Sequence, residues 1–588
     1  MRNAKIVCTV GPASDSRDQL RALADAGMDV VRMNASHGTV AERERLVDRV
    51  RDVAAGRGAP LAVMHDLPGP EVRTVAQSNP VTVETGTTVR FVPDAETTGE
   101  TIGVSVSIAG VDPGDAVLVD DGRVETTVER VEGNAVVATV EDDGELTGSE
   151  GVNTPGVDLG LPVVTEQDEE ELRAAVETGV DFVAASFVRD AEDVYTVSKH
   201  IDDLGGDVPV VAKIERATAV ENLDGIVEEA DGVMVARGDL GVECPLEEVP
   251  LIQKRIIRRC HGAGVPVITA TEMLDSMVHE RRPTRAEASD VANAVLDGTD
   301  AVMLSGETAV GDHPVRVVET MDRIVRDVEA SEEYAQNREH RLPAAGETRT
   351  DALARSARFL ARDVEAAAVV AATESGYTAR KVAKYRPDVP VVAATPSASV
   401  RRRLALSWGI QPRGVEYESG GTSGVVQSAV GAALEAGIVE AGETVVVLAG
   451  MMTELAGADV TNTLKVHVAA ETLGAGRPVV EGVAAGPVVQ VTDGHLADLP
   501  PGAILAVPAD FDGEFEGDLS EVGGIVDGHG GVTGYAALVA RELGVPAVSG
   551  VSLDVDAGTM VTVDAERGVV HAGDVTGRDG SRGPSERA

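Results

Sequence analysis

Lysine is nearly missing from this sequence of 588 residues: seven stand against 44 arginines. Positive charge as a whole is short, with 51 basic against 98 acidic residues and a formal net charge of −47. A surface so charged repels polyanions, which excludes nucleic acid and anionic membranes as partners. The acids are spread along the chain rather than gathered in a tail. Such a surface repels itself at low salt and is screened by concentrated cations, so it reads as adapted to high internal salt. Cysteine is scarce too. Cys8, Cys244 and Cys260 lie far apart, form no C-x-x-C pair and are too few for a disulfide framework. That fits a reducing cytoplasm. No apolar run approaches membrane-spanning length, and the start MRNAKIVCTVGPAS passes straight into a strand-like run without a long apolar core or cleavage site. We therefore expect a soluble, cytoplasmic protein. Aromatic residues make up 2% of the chain against 43% hydrophobic residues in all, so the interior must be built from small aliphatic side chains.

What is present is a repeated pattern. The length is too great for one core and points to three or four domains. Eight apolar runs recur: AKIVCTVG, DVVRMNAS, PLAVMHDLPG, DFVAASFVR, VPVVAKIE, DGVMVARG, VPVITATEM and DAVMLSGET. All but one of the connections are helix-sized, as in SRDQLRALADAG and DEEELRAAVETG. Strands apolar on both faces, alternating with helices, predict a parallel α/β sheet, and eight of them a (β/α)8 barrel. The barrel is expected over 1–72 and 152–335. The exception, 73–151, changes to short Val/Thr alternations broken by Gly and Asp, which predicts a small inserted β-barrel able to act as a lid. Runs AAAVVAAT, VPVVAAT and ETVVVLAG predict a second, open parallel α/β domain over 351–471. A fourth α/β unit is expected over 482–571, then a disordered tail, 572–588.

The strand ends carry the chemistry. In order they offer Arg32, Asn34, Ser36 and His37; Asp66, Glu71 and Arg73; Ser186 and Arg189; Lys213 and Glu215; Arg237 and Asp239; Thr269 and Thr271; Ser305 and Glu307. A single Ser or Thr there reads as structural. The joint occurrence does not, because active sites of such barrels sit at the C-terminal strand ends. Lys213 follows four apolar residues in a chain almost without lysine. Glu215 and Asp239, beside a lysine and with no His/Cys cluster, suit a hard cation such as Mg²⁺ or Mn²⁺. The competing reading is a pair of buried salt bridges to Lys213 and Arg237. The turn A-R-G-D-L-G would open a helix whose N–H groups near Gly238 and Asp239 could hold a small carboxylate or phosphate. Arg32 supplies a planar fork for phosphate, and Lys213 a compact cation for a transferring phosphoryl group or an enolate. Together these describe phosphoryl transfer involving a small carboxylate.

VCTVGPAS, VVRMNASHG, PGPEVRT, ASFVR, KIE, MVARGDLG, ITATEML and the long PTRAEASDVANAVLDGTDAVMLSGETAVG resemble the pyruvate kinase family over about residues 1 to 470. The resemblance implies phosphoryl transfer from phosphoenolpyruvate to ADP, giving pyruvate and ATP, with a divalent metal and K⁺. It implies that Arg32 binds the phosphoryl group, that Lys213 stabilises it in transit, and that Glu215 and Asp239 hold Mg²⁺. Thr271 and the Gly238 and Asp239 backbone would cradle the carboxylate. Asn34, Ser36 and Asp66 match the K⁺ ligands; Asn34, His37 and Arg73 match the nucleotide side. Where the family commonly has Thr-Lys, this chain has Leu67-Pro68, so a backbone carbonyl at Leu67 would serve the K⁺, while Glu71 keeps the form associated with K⁺ use. A homotetramer is also implied.

In the second α/β domain, Thr373, Ser375, Gly376 and Thr378 lie between a strand and a helix, where the family binds sugar-phosphate effectors; an ordinary turn is the alternative. GGIVDGHGGVTGYAALVARELGVPAVSG resembles the swivelling phosphohistidine domain of phosphoenolpyruvate-using enzymes, but Tyr535 stands where they have His. A phenol, neutral at pH 7, is a poor phosphoryl carrier beside an imidazole, so a structural or regulatory role is expected there. Two other functions compete. A dikinase-like phosphotransferase would need that His and an ATP-grasp-sized domain; a non-catalytic metabolite sensor would have lost part of the Arg32, Lys213, Glu215 and Asp239 set.

Overall fold

The computed structural model describes residues 2–417, 421–450 and 461–576; most of the expected tail, 577–588, lies outside the described residues. The chain divides into two compact units, Met1–Ala344 with Ser399–Ile410, and Ala345–Ala398 with Gln411–Ala588.

In the first unit every one of the apolar runs is a strand: Lys5–Thr9, Val30–Asn34, Ala62–Asp66, Phe182–Ala185, Val210–Ile214, Gly232–Ala236, Val267–Ala270 and Ala301–Leu304. Each pairs in parallel with the next, and the last closes on the first with Lys5 opposite Ala301, making a (β/α)8 barrel. Both faces of these strands are buried, one against the helices and one inside the barrel, which is why their sequences run apolar without alternation. The barrel interior is filled by Val, Ala and Met, among them Val30, Met64, Ala184 and Met234. Helices start on capping boxes such as Thr165 with Asp168 and Thr284 with Glu287, each hydroxyl accepting the amide three residues on.

The floor of the barrel comes from elsewhere in the chain. Ala405 and Leu406, in the stretch Ser399–Ile410, pack into the same interior cluster. Arg402 Nε bonds Asp181 Oδ1 at 2.7 Å, Trp408 Nε1 donates to the Tyr334 hydroxyl at 3.0 Å, and Lys5 Nζ donates to the Ile410 carbonyl at 2.9 Å. Lys5 and Asp181 mark the N-terminal ends of their strands, so this stretch closes the end opposite the chemistry.

The insertion after the third strand builds a six-stranded sheet and a two-stranded ribbon, Val81–Val83 with Gly144–Leu146, over one core containing Phe91, Ile102 and Leu146. The ladder does not run right round. The small barrel expected from sequence is thus two sheets facing across a shared core, with a bulge between Val128 and Arg130 bending the longest strand.

In the second unit a five-stranded sheet runs in the order Ile410–Gly414, Val391–Thr395, Ala368–Ala372, Thr444–Gly450, Thr461–Val468. It departs from an all-parallel sheet at its last strand, which pairs antiparallel with Thr444–Gly450. Only the ten residues 451–460 join the two, too few for the crossover that a parallel return requires. A mixed eight-stranded sheet follows, with the helix Tyr535–Leu543 packed on it through Ala536, Val539 and Ala540.

Candidate active site

The C-terminal ends of strands two to five of the barrel converge on one buried polar cluster. Arg32, 9% exposed, donates from Nε to Asp66 Oδ2 at 2.6 Å and from Nη1 to Thr9 Oγ1 at 2.9 Å. Lys213 Nζ lies 2.8 Å from Glu215 Oε1 and 3.3 Å from Asp66 Oδ1, and donates to Ser186 Oγ at 2.7 Å. Ser186 in turn donates to the Leu67 carbonyl at 2.7 Å. The other oxygen of Glu215 accepts the Phe187 amide at 2.7 Å. Gly69 makes this approach possible: at φ +71°, a Cβ on it would stand 2.9 Å from the Ser186 Cβ.

Asp239 sits in the short helix Arg237–Glu243 that begins where the sixth strand ends. Thr271 follows the seventh strand with φ +69°, a strained backbone for a β-branched residue, and its Oγ1 accepts the Gly238 amide at 3.0 Å. The Gly238 N–H expected to hold a carboxylate is therefore engaged by Thr271, so the two residues act as one piece. Arg237 fixes the same corner, donating to the Ala270 and Thr271 carbonyls and pairing with Asp290 at 2.6 Å.

The electrostatics sort these groups into two sets. Burial works against the Lys213 ammonium, but Asp66 and Glu215 hold its pKa well above the usual lysine range. Asp66 is kept below the ordinary carboxylate value: burial pushes it up, and Arg32 and Lys213 more than offset that. Glu215 and Asp239 go the other way, raised by burial against the pull of Lys213, with Asp239 adding to the rise at Glu215, and Asp121 and Glu71 to that at Asp239. Glu71 is likewise raised by burial, against Arg73. Three carboxylates made reluctant to ionise suit a cation that would relieve them. Among the described residues no group of three or more His, Cys, Asp or Glu side chains stands ready to hold a metal ion; the two carboxylates Glu215 and Asp239 fit Mg²⁺, which commonly takes one or two protein carboxylates together with substrate oxygens. Asp66 Oδ1 is buried, with the Lys213 ammonium 3.3 Å away.

Beside this cluster opens a cleft of about 1350 Å³ lined by Thr9, Pro12, Arg32, Asn34, His37 and Arg43, among others. Asn34 Oδ1 accepts the Ser36 amide at 3.1 Å, which folds the loop behind it. Arg73, expected on the same nucleotide side, is not part of this lining: it pairs with Glu71 at 2.8 Å and donates to the Ser149 carbonyl at 2.7 Å. The structure brings in Ser186, one of the strand-end residues expected from sequence, and also Thr9 and the Phe187 amide, which the sequence reading did not place in the site. Ser186 carried a signal as the residue closing an apolar run; the other two carried none.

In the second unit, Thr373 Oγ1 accepts the Gly376 amide at 2.9 Å, Ser375 Oγ accepts the Tyr377 amide at 3.3 Å, and Thr378 bonds Thr461 at 2.7 Å. The Thr373 and Ser375 hydroxyls serve the turn itself, and that of Thr378 ties its helix to the strand Thr461–Val468. Tyr535, at the position of the expected His, accepts the Phe515 amide on its hydroxyl at 3.0 Å and packs edge-on against the Phe515 ring.

A (β/α)8 barrel that sets a paired lysine, an arginine and two elevated carboxylates at its C-terminal rim beside a large open cleft defines an enzyme of the phosphate-transferring class. Comparison with known proteins takes this one step further. The pyruvate kinase barrel domain matches residues 1–318, the pyruvate kinase alpha/beta domain 351–467, and the mobile domain of PEP-utilising enzymes 499–568. Proteins named pyruvate kinase from Sporosarcina psychrophila and Geobacillus stearothermophilus are 40% and 41% identical to it, each over 97% of this chain and 99% of the relative. One from Clostridium acetobutylicum is 43% identical over 475 residues, 80% of this chain and all of that protein. The chain belongs to the pyruvate kinase family. Among the described residues no helix is long and apolar enough to cross a membrane.

Proposed function

We propose that this chain transfers the phosphoryl group of phosphoenolpyruvate to ADP, giving pyruvate and ATP. The observation that carries the reading is Lys213, its ammonium held among Asp66, Glu215 and Ser186 at the barrel rim with Arg32 on the far side of Asp66. Lys213 stays charged because its acids hold its pKa high. Arg32 binds phosphoryl oxygens as a fork, and Lys213 neutralises charge as the P–O bond to the enol breaks and the bond to the ADP oxygen forms. Thr271, locked on Gly238, orients the carboxylate together with the Asp239 amide. Glu215 and Asp239 would hold Mg²⁺ or Mn²⁺, and Asn34, Ser36, Asp66 and the Leu67 carbonyl K⁺. When bound, the divalent ion supplies positive charge to the substrate oxygens. The enolate left when the P–O bond breaks takes a proton at its methylene carbon to become pyruvate.

His37 and Asn34 form the nucleotide side of the cleft, with Arg73 approaching from the inserted domain's side of the rim. The lid role of 73–151, the effector site at Thr373 to Thr378, the homotetramer and the cytoplasmic setting belong to the same proposal. The Tyr535 hydroxyl, occupied by the Phe515 amide, favours a structural task for the C-terminal domain. The test is ADP-dependent pyruvate release from phosphoenolpyruvate with Mg²⁺ in concentrated KCl. Release should collapse in Lys213→Ala; release undiminished in that variant sinks the reading. Equal rates in K⁺ and in tetramethylammonium would remove K⁺ from the scheme.

A further inference from the structure

One buried ion pair links the cleft wall, at Arg43, to an acid outside the lining, Glu171. Arg43, 6% exposed, is on the helix Val40–Ala55, and Glu171, 2% exposed, on the helix Glu166–Thr178. The guanidinium bonds both Glu171 oxygens, from Nε to Oε2 at 2.9 Å and from Nη2 to Oε1. Glu171 Oε2 also faces Nε2 of His65, fully buried on the third strand, at 2.8 Å. Burial pushes the Glu171 carboxyl up, but the bonds with His65 and Arg43 hold it below its ordinary value, which suits an acceptor between them.

The remaining arm of Arg43 reaches forward. Its Nη1 donates to the His37 carbonyl at 2.6 Å. Among the described residues the loop at 35–38 is otherwise tied at its root, Ala35 N to the Asp66 carbonyl at 2.9 Å, Ser36 N to Asn34 Oδ1 at 3.1 Å and a long 3.4 Å bond from His37 N to the Asn34 carbonyl. Arg43, His37 and Gly38 line the cleft; Glu171 and His65 do not. A buried pair of this kind adds little stability over apolar residues of the same volume, and its worth lies in geometry.

We propose that Glu171 is a positioning residue for the nucleotide: with His65 it holds Arg43 on the His37 carbonyl and so sets the loop that lines the nucleotide side of the cleft. This rests on the reading above of what the cleft binds. Glu171→Gln keeps the shape but turns one acceptor into a donor, facing either Arg43 or His65, so the guanidinium loses its fixed seat. Arg43→Lys keeps an ion pair with Glu171 and gives up the second arm to His37.

The experiment is steady-state kinetics of the full chain with ADP and phosphoenolpyruvate varied separately, alongside calorimetric titration with ADP. In both variants the KM and Kd for ADP should rise about tenfold, the size of one lost hydrogen bond to a charged group, with the KM for phosphoenolpyruvate held within about twofold. An E171Q protein with unchanged ADP affinity, or with both KM values raised in parallel, overturns the proposal. So does a shift in R43K alone, since Arg43 would then act by touching the nucleotide itself. If E171Q does not fold, unchanged ADP affinity in R43K overturns it. Wild-type protein that binds ADP but releases no pyruvate refutes the catalytic reading, and the titrations still decide this one; wild-type protein that binds no ADP removes both.

Discussion

Lys213 reaches three oxygens from three other residues, and the serine among them is the part most easily tested. Ser186→Ala should lower kcat about tenfold, since the ammonium loses one of its fixed contacts and gains freedom to swing, with little change in melting temperature. A kcat within twofold of wild type would show that Asp66 and Glu215 suffice to fix it. Histidines make a second residue-level case in the other unit. His467 Nε2 and His571 Nδ1 are buried without a hydrogen bond among the described residues, and burial with nearby Lys465 takes His467 down to about 4. His571 is lowered as well, by burial. The unfolded chain then binds more protons than the folded one between about pH 6.5 and 4, so stability is intact above that window and drains as pH falls through it, by about 1 kcal/mol per pH unit for His467. Thermal melts of wild type and His467→Gln from pH 7 to 5 should diverge in slope, with the variant flatter.

Elements explain what could be read in advance. A strand buried on both faces leaves an unbroken apolar run, and one polar residue at its C-terminal end is conspicuous against that run; Arg32, Asp66, Lys213 and Glu215 were visible for this reason. Glu171 was not, because it sits in the run Asp168–Glu169–Glu170–Glu171, which has the composition of a solvent-facing helix start. Only packing turns two of those acids inward, Asp168 at the helix cap and Glu171 onto Arg43 of the helix Val40–Ala55. The antiparallel edge strand Thr461–Val468 was missed for a related reason: pairing direction is set by the connection, not by the strand's own residues. Gly69, by contrast, belongs to a loop whose shape the site depends on. Gly69→Ala forces both a positive φ and a clash with Ser186, so it should cost about 1 kcal/mol or more in stability and lower kcat beyond what Ser186→Ala does. Wild-type kinetics in that variant would mean the loop yields without moving Ser186.

At the scale of the whole molecule the net charge of −47 dominates. Screening shortens the range of that repulsion from about 10 Å at 0.1 M salt to about 3 Å at 1 M. The melting temperature should therefore climb by several degrees over that range in KCl, and climb comparably in tetramethylammonium chloride, because the effect is ionic strength rather than site binding. A melting temperature that falls with salt would contradict the reading of an acid-rich surface as salt adaptation. The barrel floor adds a consequence of a different kind. Its eighth strand ends at Leu304, yet Ala405 and Leu406, which close its interior, are about a hundred residues further on. During synthesis the ribosome releases every strand of the barrel well before it releases the plug. A nascent chain halted between these points holds a barrel open at the bottom, and a fragment ending near residue 344 inherits that opening for good. The order of translation, rather than the order of folding, decides when the catalytic half can first become watertight.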